Sequence, residues 1–288
     1  MKTGKTMKTL ALTLAALSMM ASAAFAEEAH NVANPTHFPM VKPVEQDWSF
    51  AGPFGHYDKG QLQRGLKVYK EVCAACHSMN LVRLGSLEEL GYSEEQVKAF
   101  AAEYEVQDGP NADGEMFARK GGLADKFPSP YANVEAAAAA NNGAAPPDFS
   151  LIAKARGVER GFPLFVWDIF TQYAEGGPDY IYALLTGYDQ TPPAGMEIAE
   201  GTNYNPHFMS GKALAMAKPL ADDQVTYDDG TPQTVDQYAR DIAAFQMWAA
   251  EPHLETRKRM GFRAMIFLLV MGALVYVTKR RVWAEVAH

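Results

Sequence analysis

Cysteine is nearly absent from this sequence: 288 residues hold two, Cys73 and Cys76. A fold stapled by disulfides is excluded on that count, the more firmly because the N-terminus reads as an export signal and exported chains meet conditions in which disulfides persist. Strand alternation is weak and no internal repeat is visible, which leaves a mainly α class with long loops. Long apolar runs are scarce as well, confined to one stretch near each end. Basic residues are outnumbered, 26 Lys and Arg against 34 Asp and Glu. The imbalance concentrates in residues 27–252, where the net charge is about −16, a value that rules against nucleic acid and predicts a basic partner met by steered diffusion. Glu94, Glu95, Glu103 and Glu105 are candidates to meet such a partner.

The two apolar stretches divide the chain. Lys2, Lys5 and Lys8 precede a run from Leu10 to Met20 and then Ala24-Phe25-Ala26, the layout of a cleavable signal peptide over residues 1–26. From Ala264 to Thr278 no residue is charged, with Arg257, Lys258, Arg259 and Arg263 before and Lys279, Arg280 and Arg281 after. That run rises about 22 Å as a helix, short of a hydrocarbon core of about 30 Å. Arg263 and Lys279 can lift their charges to the interface, and Tyr276 and Trp283 suit the headgroup layer. The sequence therefore predicts a periplasmic domain over 27–252, a basic connector over 253–260, a membrane helix over 261–278 and a cytoplasmic tail over 279–288. Basic residues on both flanks leave orientation undecided by charge. The export signal decides it, placing the chain as a single-pass protein of the bacterial inner membrane.

Within the domain, Asp58 with Gln61 resembles a capping pair, and Leu62, Leu66, Tyr69 and Val72 follow at helical spacing into the cysteines. Ser93 with Gln96 opens a short acidic helix. Thr234 with Gln237 opens the last soluble one, whose apolar face is Val235, Tyr238, Ile242, Phe245 and Ala249, and which Pro252 ends. The residues from Asp108 to Pro147 keep no period and read as a surface loop, the alanine run at 136–140 included. Phe162 to Phe170 is apolar but too short to span, so it packs or meets a partner.

Cys73, Cys76 and His77 form Cys-x-x-Cys-His, a spacing of i, i+3 and i+4 that puts all three on one helical face. Two thiols there can add to the vinyl groups of haem while the imidazole reaches iron. A redox dithiol would need a βαβ context and zinc would need a second ligand pair, and neither is apparent. The sixth iron position decides between electron transfer and ligand binding. Met196, Met209 and Met216 are open candidates, with Met216 slightly ahead because it directly precedes the last soluble helix, and His207 is a further one.

Taken together the residues resemble the cytochrome c1 family, the haem c subunits of cytochrome bc1 complexes. The likeness runs from about Trp48 to Trp283. It rests on the segment Val72 to Met79, Asn141-Asn142-Gly143, Pro146-Pro147-Asp148, Leu184-Leu185-Thr186-Gly187-Tyr188, Asn205-Pro206, Met216-Ala217, the segment Asp228 to Pro232, Trp248-Ala249-Ala250-Glu251-Pro252 and the segment Arg257 to Gly261. The resemblance implies one covalent haem c held by Cys73 and Cys76, with iron between His77 and Met216. It implies Arg156 at a haem propionate and Asn141, Pro146 and Pro147 lining the pocket. It further implies a subunit that is no enzyme on its own, that takes electrons from a Rieske iron–sulfur protein and passes them to a soluble cytochrome c. Cytochrome b and membrane lipid are the implied neighbours, in a dimeric complex. Residues 157–175 depart from the mitochondrial pattern as an insertion.

Overall fold

The computed structural model describes residues 40–171, 173–211 and 213–284, so the signal-peptide reading lies outside the described residues. The chain from Lys42 onward clusters as one compact unit. Among the described residues the α-helices are α1 (Lys59–Glu71), α2 (Glu94–Ala101), α3 (Val134–Ala140), α4 (Ile152–Ala155), α5 (Leu164–Thr171), α6 (Gly176–Thr186), α7 (Val235–Ala250) and α8 (Leu254–Val282). Two 3-10 segments, Cys73–Ala75 and Leu84–Leu90, complete the helical set. Strands are short. β1 (Glu105–Asp108) pairs antiparallel with β2 (Phe117–Lys120), and β3 (Asn203–Tyr204) with β4 (Ala213–Leu214). The class is mainly α, as the sequence implies.

The three helix starts predicted from capping pairs are made as expected. Asp58 accepts from the Gln61 N–H, Ser93 and Gln96 close a full capping box, and Thr234 accepts from the Gln237 N–H. Each oxygen satisfies an amide that the helix itself cannot. The stretch expected as loop, Asp108 to Pro147, differs: it contains the turn and second strand of the β1–β2 hairpin, and α3. Arg119 ties the hairpin down by ion pairs to Asp108 and Asp125, and Asn133 caps the alanine run by accepting from the Ala136 N–H at 2.7 Å. Neither device has a hydrophobic period, so periodicity did not reveal them.

The core forms where α1 crosses α7. Gly65 makes the crossing close, since a Cβ there would lie 2.2 Å from the Asp241 carbonyl oxygen and 2.6 Å from the Phe245 Cβ. Around it Leu62, Leu66 and Tyr69 meet Tyr238, Ile242 and Phe245, all buried. Helix α6 covers a further side of α7, and Gly177 lets it approach α4, where any Cβ would collide with the Ala153 carbonyl oxygen. As a result α7 is buried on nearly every face, including Met247 and Trp248, and not on one stripe alone. At the crossing the Asp241 carboxylate is wholly buried and is held by the Arg64 Nε at 3.0 Å and the Gln237 Nε2 at 2.9 Å.

Helix α8 is the one helix among the described residues long and apolar enough to cross a membrane, and its apolar window is fully exposed. It starts at Leu254, not Gly261, so the expected connector is largely its first turns. The cause is burial: Leu254 and Lys258 are the two α8 residues packed into the domain. The Lys258 ammonium donates to the Phe50 carbonyl at 2.6 Å, and Glu255 accepts from the Tyr57 N–H. At 29 residues the helix extends about 43 Å, enough to cross the hydrocarbon and still seat its first turns in the domain.

Ending the chain after Glu251 removes Leu254 and Lys258, whereas ending it after Arg263 keeps both. The shorter chain is expected to be less stable by about 3–5 kcal/mol, from one buried leucine and one buried hydrogen bond. Comparison of their urea midpoints checks this; equal midpoints would mean that the domain ends before α8.

Candidate haem site

Helix α1 stops at Glu71, and the motif follows as a 3-10 turn, not as the uninterrupted helix expected. The Cys73 carbonyl accepts from both the Cys76 N–H at 3.1 Å and the His77 N–H at 2.9 Å. One turn therefore carries all three residues. Both thiols are free and half-buried. Burial, with a smaller contribution from Cys76, pushes the Cys73 thiol up to about 12, so it stays protonated and is a poor dithiol nucleophile.

His77 is buried, and its Nδ1 lies 2.7 Å from the Pro147 carbonyl oxygen. A carbonyl only accepts, so Nδ1 carries the proton and Nε2 keeps the lone pair, the tautomer a metal-ligating imidazole requires. Burial pushes the imidazole pKa down against that hydrogen bond, which keeps the ring neutral. Phe149 stacks on the ring with centroids 4.1 Å apart, and the Tyr69 hydroxyl donates to the His77 carbonyl at 3.1 Å.

What sets the Pro147 carbonyl in place is Asp148. Its Oδ2 accepts from the Ser78 hydroxyl and the Asn80 N–H, each at 2.8 Å, and its Oδ1 accepts from the Ser150 N–H at 2.8 Å. The Phe149 N–H donates to the Ser78 carbonyl at 2.8 Å beside them. Burial opposes the charge of Asp148, but the Ser150, Asn80 and Ser78 hydrogen bonds outweigh it and hold the carboxyl below its ordinary range. Sequence reasoning quoted Asp148 within a motif without assigning it this work. The available signal was a carboxylate next to a diproline, far in sequence from the histidine.

Met216 follows β4, and its carbonyl accepts from the Tyr188 hydroxyl and the Asn203 Nδ2, both at 3.2 Å. Arg156 caps α4 through its N–H on the Ile152 carbonyl, and its guanidinium donates to the neighbouring Ala155 carbonyl; among the described residues it has no ion pair. Its charge lowers the Tyr180 hydroxyl against the burial that raises it, and Tyr180 in turn acts on the raised, buried Tyr188. Tyr188 is the residue of this group that bonds to the Met216 backbone. Met209 also touches this group, its N–H on the Tyr180 hydroxyl at 3.4 Å, while Met196 sits in a separate turn closed on Pro193. His207 packs near Gly187, with its N–H on Asn205. Asn141 commits its Nδ2 to the end of α3, at 2.7 Å from the Ala137 carbonyl, and to the Tyr131 hydroxyl, and Pro146, just before Pro147, is half-buried.

Two free thiols and a neutral imidazole with one nitrogen already engaged, all in one turn, make a donor set that fits haem c. Such a turn on a domain tethered by a single apolar helix defines a membrane-anchored c-type cytochrome. The Cytochrome C1 family model matches residues 48–286. The chain is 56% identical over 247 residues to cytochrome b/c1 of Bradyrhizobium diazoefficiens, covering 85% of this chain and 36% of that protein. It is 48% identical to cytochrome c1 of Blastochloris viridis over 85% of this chain and 87% of that one. It is also 48% identical to the mitochondrial cytochrome c1 1 heme protein of Arabidopsis thaliana, over 84% and 72% of the two chains. The chain belongs to the cytochrome c1 family, whose haem c attachment motif stands here at Cys73, Cys76 and His77.

Replacing Asp148 with alanine leaves three donors without their acceptor. Stability is expected to fall by about 2–4 kcal/mol, since hydrogen bonds to a charged group are worth about 1.5–3 kcal/mol each and water recovers part of the loss. Because the folded carboxyl titrates below its unfolded value, its contribution is complete above about pH 4 and is lost as pH falls through the lowered value. Denaturant midpoints of parent and variant should therefore differ at neutral pH and converge in acid; a gap unchanged by acid would reject the clamp.

Proposed function

We propose that this chain is the electron-transfer subunit of a cytochrome bc1 complex, taking electrons from a Rieske iron–sulfur protein and passing them to a soluble cytochrome c. The observation that carries this reading is the His77 imidazole, kept neutral by burial and fixed in its tautomer by the Pro147 carbonyl, within a turn bearing both thiols. Haem c, when bound, supplies the one-electron couple. Cys73 and Cys76 are the attachment points and His77 the first axial ligand. Met216 is the second, on a loop whose backbone Tyr188 and Asn203 hold. Arg156, which has no carboxylate partner among the described residues, answers a propionate charge, and Asn141, Pro146 and Pro147 line the pocket. The chain holds its domain on the periplasmic side and its tail in the cytoplasm, with cytochrome b as membrane partner in a dimer. Residues 1–26 act as the signal peptide. The subunit performs no quinol chemistry itself. Affinity purification of the full chain from membranes tests the assignment: cytochrome b and an iron–sulfur subunit should co-purify, and their absence would overturn it.

Met216→Leu should leave the haem attached, since both thioether bonds and His77 remain, but it removes the soft sulfur that favours ferrous iron. The reduction potential is expected to drop by several steps of about 59 mV, each a tenfold change in a one-electron equilibrium, and carbon monoxide should bind. The same change at Met196 or Met209 should leave the potential nearly unaltered. A redox titration of the three variants decides which residue closes the iron.

Transfer to a basic cytochrome c should slow as salt rises, because the acidic domain steers its partner over a screening length of about 10 Å at 0.1 M. Among the acidic candidates, Glu94, Glu103 and Glu105 face Lys98, Lys70 and Lys120. Those pairings blunt their charge. Stopped-flow rates at low and physiological ionic strength check the steering, and a flat profile would exclude it.

A further inference from the structure

The insertion at 157–175 leaves and rejoins the domain at one point, and its apolar side chains from Phe162 to Trp167 are exposed. Its base is tight: a Cβ at Gly176 would come within 2.6 Å of the Val158 carbonyl oxygen, so the segment leaves and returns at one point. Arg160 fastens it by an ion pair to Glu45 at 2.8 Å, another to Asp168, and a position 4.0 Å over the Tyr173 ring. The Arg160 pair neutralises Asp168, the single charged residue between Phe162 and Thr171. What is left is an uncharged surface in which Phe162 is 73% exposed, Phe165 50% and Trp167 62%, with Leu164 and Val166 beside them.

Position gives that surface a setting. The residue closing the excursion, Glu175, is buried and feels the charge of Lys258 on α8. Lys258 reaches the Phe50 carbonyl, Phe50 stacks on Trp48, and the Trp48 Nε1 donates to Asp179 at 2.8 Å, one turn beyond Glu175. One helical turn past Lys258, Phe262 meets the 78% exposed Phe54 edge-on at 5.8 Å. The insertion therefore roots at the end of the domain where α8 enters the bilayer, about 4.5 Å of helix rise before Gly261. Aromatic side chains at that level partition into the interface. Five apolar side chains fall well short of the 20–30 residues a side of a stable protein interface, whereas partial insertion to a depth of about 5–10 Å suits a short apolar helix beside an existing anchor.

We propose that α5, with Phe162 before it, is a second membrane contact that seats its exposed apolar side chains at the headgroup–acyl boundary of the bilayer next to α8. The contact fixes the tilt of the domain over the membrane as well as its height. This inference rests on the single-pass anchor and not on the haem ligands, so a normal haem spectrum separates the two readings.

The test uses the full, haem-loaded chain in nanodiscs of phosphatidylcholine and phosphatidylglycerol. With Cys73 and Cys76 consumed by haem, Phe165→Cys gives a single free thiol for a nitroxide label, and Met116→Cys, in the acidic β1–β2 connection, is the aqueous reference. Collision with oxygen, which concentrates in lipid, is compared with collision with a water-soluble nickel chelate. The label at 165 should favour oxygen several-fold over the label at 116. Equal nickel accessibility at both positions would overturn the proposal. So would exclusion of both reagents, or a label at 165 that is aqueous in the isolated subunit and shielded only on assembly, which would assign the helix to a partner protein.

Discussion

The approach of α1 to α7 at Gly65 is the constraint from which the rest of the domain follows. Without a side chain there, the two backbones come close enough for Leu62, Leu66 and Tyr69 to interlock with Tyr238, Ile242 and Phe245. The crossing also buries Asp241, whose charge is tolerable only because Arg64 and Gln237 bond to it. Arg64 extends the tie to Asp229 on the loop leading into α7. Everything chemical hangs from this pair: the motif turn is the continuation of α1, and the Met216 loop runs into α7.

The haem site is assembled from loops, but none of them is loose. The turn at Cys73–Ala75 is braced by Tyr69 below and Phe149 above, and the Asp148 carboxylate locks the segment after His77 to the segment containing Pro147. Such outer bonds orient a ligating imidazole and fix its tautomer before any metal arrives. On the other side, the Tyr188 hydroxyl and the Asn203 amide hold the Met216 carbonyl, and the Tyr180 hydroxyl accepts from the Met209 N–H.

Much of this was legible in the sequence because it is local. Three capping pairs, the spacing of the motif and the uncharged run in α8 each declare themselves within a few residues. The hidden parts have long-range causes. Asp148 acts across some seventy residues in sequence on Ser78 and Asn80, and no periodicity marks a residue whose work is to accept hydrogen bonds. The first turns of α8 read as a charged connector because Arg257, Lys258 and Arg259 dominate them, yet Lys258 is buried by a carbonyl acceptor that the sequence gives no reason to place there. The β1–β2 hairpin was invisible for a related cause, being held by Arg119 between two aspartates and not by an apolar face.

The bond from Lys258 to Phe50 changes what the anchor is. A flexible tether would let the soluble domain swing freely above the bilayer. Here α8 is continuous from Leu254 through its apolar stretch, and its second turn is bolted into the same aromatic cluster that carries Trp48 and Tyr57. Domain and helix are therefore joined through packed side chains and not through a linker. A tilt of the helix has no intervening loop to absorb it before it reaches the packed residues of the domain.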